Sequence, residues 1–99
     1  MPSIGIDLVE ISRIKRSMAR QSFLNKILGP NEYAELESRN FPSQSVAVNF
    51  CAKEAFLKAL GKGLGDISLS EIELLRKESG QPYLRLSGTA SEFAEKENL

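Results

Sequence analysis

Apolar and polar residues alternate at the start of the chain. Ile4, Ile6 and Leu8 fall on one side, and Gly5, Asp7 and Val9 on the other. A period of two predicts a short strand over residues 4–9, with Asp7 as its one charged position. The period then lengthens. Ile11, Ile14 and Met18 share one side of a helix that Ser12 can cap, and Arg13, Arg16 and Arg20 form a stripe roughly opposite. Residues 23–28 continue as helix or as a separate turn, broken at Gly29-Pro30. Residues 31–39 make a short helix anchored by Tyr33 and Leu36. A turn follows at 40–43, with Ser43 as a cap for the next helix.

That next helix runs from about residue 44 to residue 60, where Gly61 stops it. Phe56, Ala59 and Leu60 read as its core face, joined by Ala52 and Ala55. After a glycine-rich loop, Ile72 and Leu74 alternate with Glu71 and Glu73 as a strand. Residues 78–82 form a turn and 83–86 the return strand of a hairpin. Thr89 and Glu92 make a capping-box pattern for a last helix to about residue 96. No repeat, linker or low-complexity segment interrupts the pattern, which predicts one domain over residues 1–99. Helices grouped before a hairpin predict an α+β fold.

Charge is balanced, 13 basic against 13 acidic residues, so nothing draws the whole chain to nucleic acid or membrane. No apolar run reaches the roughly 20 residues of a membrane span, and no basic start and apolar stretch marks a signal peptide. The single cysteine, Cys51, cannot pair within the chain, which suits a reducing cytoplasm, and it reads as a small core residue. Histidine is absent, which removes Ser-His-Asp and Cys-His chemistry from these 99 residues; with one cysteine, a structural zinc site within one chain is not expected either.

The long helix carries more charge than packing requires. Glu54 and Lys58 are spaced i,i+4, and Lys53 and Lys62 add positive charge around them. By spacing alone this is a surface ion pair worth about 0.2–0.5 kcal/mol. The alternative is a phosphate ligand with a cation between it and the carboxylate, because Mg²⁺ binds through one or two carboxylates plus phosphate oxygens. Asp7 supplies a second carboxylate if its strand lies beside the helix. Gly61, Gly63 and Gly65 form either a helix stop with a connector or a loop that lets backbone N–H groups approach phosphate. The arginine stripe is either a solvated face or a dock for an acidic protein.

Two stretches join these features. "GIDLVEISRI" at residues 5–14 and "FCAKEAFLKALGKG" at residues 50–63 resemble the two main motifs of the holo-(acyl-carrier-protein) synthase family, small trimeric 4′-phosphopantetheinyl transferases. "ESGQPYLRLSG" at residues 78–88 resembles the family's hairpin. The resemblance implies a phosphopantetheinyl transferase-like fold, with a small antiparallel sheet packed on a long central helix. It implies Mg²⁺-dependent transfer of 4′-phosphopantetheine from coenzyme A to a serine of apo-acyl carrier protein, in fatty acid biosynthesis. Asp7 and Glu54 are the implied metal ligands, Glu54 and Lys58 the implied catalytic residues, and Lys58 the implied contact to coenzyme A phosphate. Lys53, Gly61, Lys62 and Gly63 complete the expected coenzyme pocket. Arg13, with Arg20 on the same stripe, is expected to bind the acidic recognition helix of the carrier. The family assembles as a homotrimer with active sites between subunits. Asn49 stands where many members carry a basic residue, and the family continues beyond residue 99 with a strand bearing Ser-x-Ser-His and a final strand. A shortened relative that binds coenzyme A or carrier without transfer is the competing reading.

Overall fold

A computed structural model describes residues 4–61 and 67–96, with the backbone alone for residues 4–10. Helices α1 (Ile4–Ser17), α2 (Gln21–Ile27), α3 (Pro30–Ser38) and α4 (Ser43–Leu60) come first. A 3₁₀ turn at Leu69–Glu71, strands β1 (Ile72–Arg76) and β2 (Pro82–Leu86), and helix α5 (Gly88–Lys96) follow. The class is α+β, as expected, but the first element is not.

Residues 4–9 are the opening turns of α1 rather than a strand. The alternation that predicted a strand coexists with a helical spacing: Ile4, Leu8, Ile11 and Ile14 recur every three or four residues. A strand needs a neighbour to take its backbone groups, and a helix satisfies them internally. The described sheet has two strands, β1 and β2, and neither pairs with residues 4–9. α1 ends at Ser17, so Arg20 does not complete an arginine stripe on it; Arg20 is the N-cap residue of α2.

Ile14, Leu24, Ile27, Leu36, Val46, Phe50, Leu57 and Ile72 lie in one hydrophobic cluster that joins α1, α2, α3, α4 and β1. α1 packs on α4, and β1 packs on both α3 and α4. Pro30 opens α3, where its fixed φ suits the first helical turn. The link from α3 to α4 is sharp, with Asn40 at φ 63° and Phe41 at φ 48°. The Phe41 ring packs edge-on against Tyr33, at 5.0 Å between ring centroids. Pro42, not Ser43, is the N-cap residue of α4.

α4 turns a different side to the core than its alanines suggested. Val46, Ala47, Asn49, Phe50, Lys53, Leu57 and Leu60 are buried, whereas Ala55 and Ala59 are exposed and Ala52 and Phe56 are half-buried. A lysine at the centre of the buried stripe disguised it. Cys51 is exposed, contrary to the core position expected for it. Gly61 ends the helix at φ 72°, a conformation that costs glycine nothing.

β1 and β2 pair antiparallel, with Ile72 opposite Leu86 and Arg76 opposite Pro82. Four of the five β1 residues are buried, Glu73 among them, so its alternation does not separate core from solvent. The cap of α5 comes from a distance. Thr89 lies inside the helix, and the Glu71 carboxylate accepts the Ala90 N–H at 3.3 Å instead, a negative charge at the positive helix end. Gly88 sits against that carboxylate at φ 52°, and a Cβ there would overlap it. Gly88→Ala is therefore expected to destabilise the fold by more than about 1 kcal/mol, read as a lower urea midpoint. An unchanged midpoint would contradict the Glu71 cap.

Candidate active site and its relatives

α4 is an 18-residue helix, and its spacing puts Glu54 and Lys58 on the same side, one turn apart. Relative to Lys53 at the centre of the buried face, the helical advance of about 100° per residue carries Glu54 to the flank. Glu54 is accordingly half-buried and Lys58 exposed. They do not pair with each other: the ion pairs among described residues are Arg39–Glu35, Lys53–Glu32 and Arg85–Glu73. The carboxylate thus sits at the edge of the core with its oxygens untaken by described partners. The C-terminal end of a helix repels anions, so a phosphate here needs cations. Lys58 provides one in the last turn.

α1, which carries Asp7, packs against α4. The side chain of Asp7 lies outside the described residues, as do Lys62 and Gly63. Gly61 is exposed with open space around it, and its N–H is taken by the carbonyls of Leu57 and Lys58. It supplies the turn out of α4 rather than a donor for a ligand.

Lys53 needs a correction. Its side chain is 0% exposed, so its ammonium is not presented to a coenzyme as the sequence suggested. Lys53 Nζ donates to the Ile27 carbonyl at the end of α2 and pairs with the Glu32 carboxylate, also 0% exposed. Glu32 gathers the surrounding elements. It accepts the Gly29 N–H at 3.2 Å, Asn49 Nδ2 at 2.9 Å and the Leu74 N–H at 3.3 Å. Glu73 adds a second layer, accepting the Glu32 N–H at 2.8 Å and Asn31 Nδ2 at 3.2 Å, with Arg85 at 3.6 Å. Burial pushes the Glu32 carboxyl up and the Lys53 ammonium down from their ordinary ranges, and mutual attraction opposes both shifts without cancelling them. Among described residues no buried side-chain polar atom lacks a partner. Asn49, noted only as a departure from a basic residue, is a member of this network. Glu32, Asn49 and Glu73 gave no local sign, because their partners are up to 42 residues away.

Arg13, Arg16 and Arg20 are exposed. Arg20 joins Ser22, Phe23 and Lys26 around an open depression of about 260 Å³, whose lining thus holds one aromatic ring and two cations. Lys26 follows Ser22 and Phe23 by four and three residues on α2, a helical spacing that marks this face only once α2 is known to be a helix. No described helix is long and apolar enough to cross a membrane. No group of three His, Cys, Asp or Glu side chains gathers among the described residues.

A model of the 4′-phosphopantetheinyl transferase superfamily matches residues 3–98. The chain is 45% identical over 94 residues to the holo-[acyl-carrier-protein] synthase of Ruminiclostridium cellulolyticum, covering 91% of this chain and 70% of that protein. With the holo-[acyl-carrier-protein] synthase of Moorella thermoacetica it shares 42% over 95 residues, covering 95% of this chain and 74% of that one. Among solved structures, a holo-ACP-synthase from Plasmodium yoelii superposes with a TM-score of 0.68 at 31% identity, covering 87% of this chain and 68% of that one. A Plasmodium yoelii acyl carrier protein synthase with ADP bound gives 0.72 at 32%, covering 87% and 69%. The signature stretches, the central helix with its hairpin and these similarities agree: the chain belongs to the holo-[acyl-carrier-protein] synthase family of 4′-phosphopantetheinyl transferases.

Proposed function

We propose that this protein transfers 4′-phosphopantetheine from coenzyme A to a serine hydroxyl of apo-acyl carrier protein and releases 3′,5′-adenosine bisphosphate. The observation that carries this is the placing of Glu54 at the edge of the core, unpaired among described residues, with Lys58 one turn on and α1 packed alongside. Carboxylate oxygens at a half-buried position are the donors a hard cation takes, so the residues present fit Mg²⁺. Glu54 and Asp7 would hold it, and when bound it supplies charge neutralisation on the diphosphate.

The chain's own residues do the rest. Lys58 holds a coenzyme phosphate and offsets the carbonyls at the end of α4. Lys62 and Gly63, next in the sequence after Gly61, belong to the coenzyme pocket in the same proposal. The serine oxygen forms the new bond to the β-phosphorus and gives up its proton to water, and the bond to the adenosine bisphosphate oxygen breaks, that oxygen leaving with the electron pair. Arg13, Arg20 and Lys26 receive the acidic face of the carrier, with Phe23, which lines the same depression as the last two, taking its apolar side. A single domain, cytoplasmic location and a homotrimer with active sites between subunits belong to the same proposal. Tyr83 and Leu84 of β2, 40% and 37% exposed, are large apolar side chains that an assembly would cover.

Chromatography of the reaction tests the proposal. Adenosine bisphosphate is expected only when coenzyme A, apo-carrier and Mg²⁺ are all present, and a chelator should stop its release. Coenzyme A bound with none released would select the non-catalytic reading. The docking face has its own test. Arg20→Glu is expected to weaken carrier binding about tenfold or more at low salt, with less difference at high salt as screening grows. Equal binding of variant and parent at low salt would remove Arg20 from the interface.

A further inference from the structure

We propose that the buried Lys53–Glu32 pair is a positioning device that sets the rotation of α4 and thereby aims Glu54 and Lys58; it rests on the site reading above. Two residues of α4 one turn apart, Asn49 and Lys53, reach the same Glu32 carboxylate. The Lys53 ammonium also reaches the Ile27 carbonyl of α2, and Asn49 Nδ2 lies 3.5 Å from the Leu74 carbonyl of β1. These directional bonds tie α4 to α2, α3 and β1 at one height and one angle. Apolar contacts along the same stripe, from Val46 to Leu60, tolerate small rotations that these bonds forbid.

Packing alone does not account for the pair. Two fully buried charges are costly to desolvate, and apolar residues of similar volume often hold a core as well or better. What the pair adds is a fixed angle, and the residue that follows Lys53 on the helix is Glu54. Lys53 touches no substrate; it acts through its neighbour.

The experiment separates positioning from stability by comparing Lys53→Met with the double variant Lys53→Met/Glu32→Gln in the full chain. The single change strands the Glu32 carboxylate and should lower the melting temperature. The double change removes both charges of the pair, because Met replaces the lysine stem and Gln keeps an acceptor, so melting should recover towards the parent. The site should not recover. Affinity for Mn²⁺ alone, read from the loss of its free electron paramagnetic resonance signal, should stay about 10–100-fold weaker than in the parent. In transfer assays kcat should fall by a similar factor, and KM for coenzyme A should rise as Lys58 is turned away from its phosphate. Recovery of Mn²⁺ affinity and kcat together with melting would overturn the proposal and leave Lys53 a structural residue. A double variant that melts far below the parent would overturn it too, because the pair would then be holding the core itself. A parent that neither binds Mn²⁺ nor transfers removes the site reading, and the device with it.

Discussion

Glu54→Gln is expected to lower phosphopantetheine transfer by about 10²–10³-fold, the loss that follows removal of one preorganised electrostatic group from an active site. The substitution keeps shape and volume and removes one negative charge. Glu54 is half-buried and makes no ion pair with a described residue, so the fold loses no contact with the charge. The melting temperature should therefore stay within about 2–4 °C of the parent, since exposed or boundary changes of this kind are worth about ±0.5 kcal/mol. Lys58→Ala should follow the same pattern more mildly, at about 10–100-fold, the worth of one charged hydrogen bond to phosphate. Kinetics and thermal melting on the same preparations check both. A Glu54→Gln protein that transfers at the parent rate would show that the charge at this position does no work.

Lys53→Ala, one residue away, should do the opposite and strike stability first. It is expected to cost about 3–5 kcal/mol, the usual effect of removing one member of a buried pair. The Glu32 carboxylate would remain inside α3, fully buried, with its cation gone. The Ile27 carbonyl at the end of α2 would lose its Lys53 donor as well. Burial already pushes Glu32 towards its protonated form, so part of the cost appears as proton uptake rather than as an unpaired charge. A urea titration at neutral pH measures the loss, and a loss under about 1 kcal/mol would show that the pair contributes little to the fold.

Neighbouring residues on one helix thus have different fates, and this marks where the sequence was legible. The length of α4, its stop at Gly61 and the hairpin from Ile72 to Leu86 were read nearly to the residue, because periodicity and turn chemistry are local. Glu54 and Lys58 were read as a pair on one side for the same reason. Lys53 was not, because what buries it is a carboxylate 21 residues earlier in the chain. Residues 4–9 were misread because alternation and helical spacing coexist there, and the choice falls to whether a partner strand is present. Glu71 displaced Thr89 as the cap of α5 from 19 residues away, at Ala90. In each case the tertiary setting overruled a local rule that was sound on its own terms.

The central claim is that this chain modifies a carrier protein, and the mass of the carrier tests it. Apo-acyl carrier protein incubated with the chain, coenzyme A and Mg²⁺ should gain one phosphopantetheine group on a serine, seen by intact mass and located by peptide fragmentation. A carrier whose mass stays unchanged, while a holo-[acyl-carrier-protein] synthase of known activity modifies the same preparation, would contradict the account.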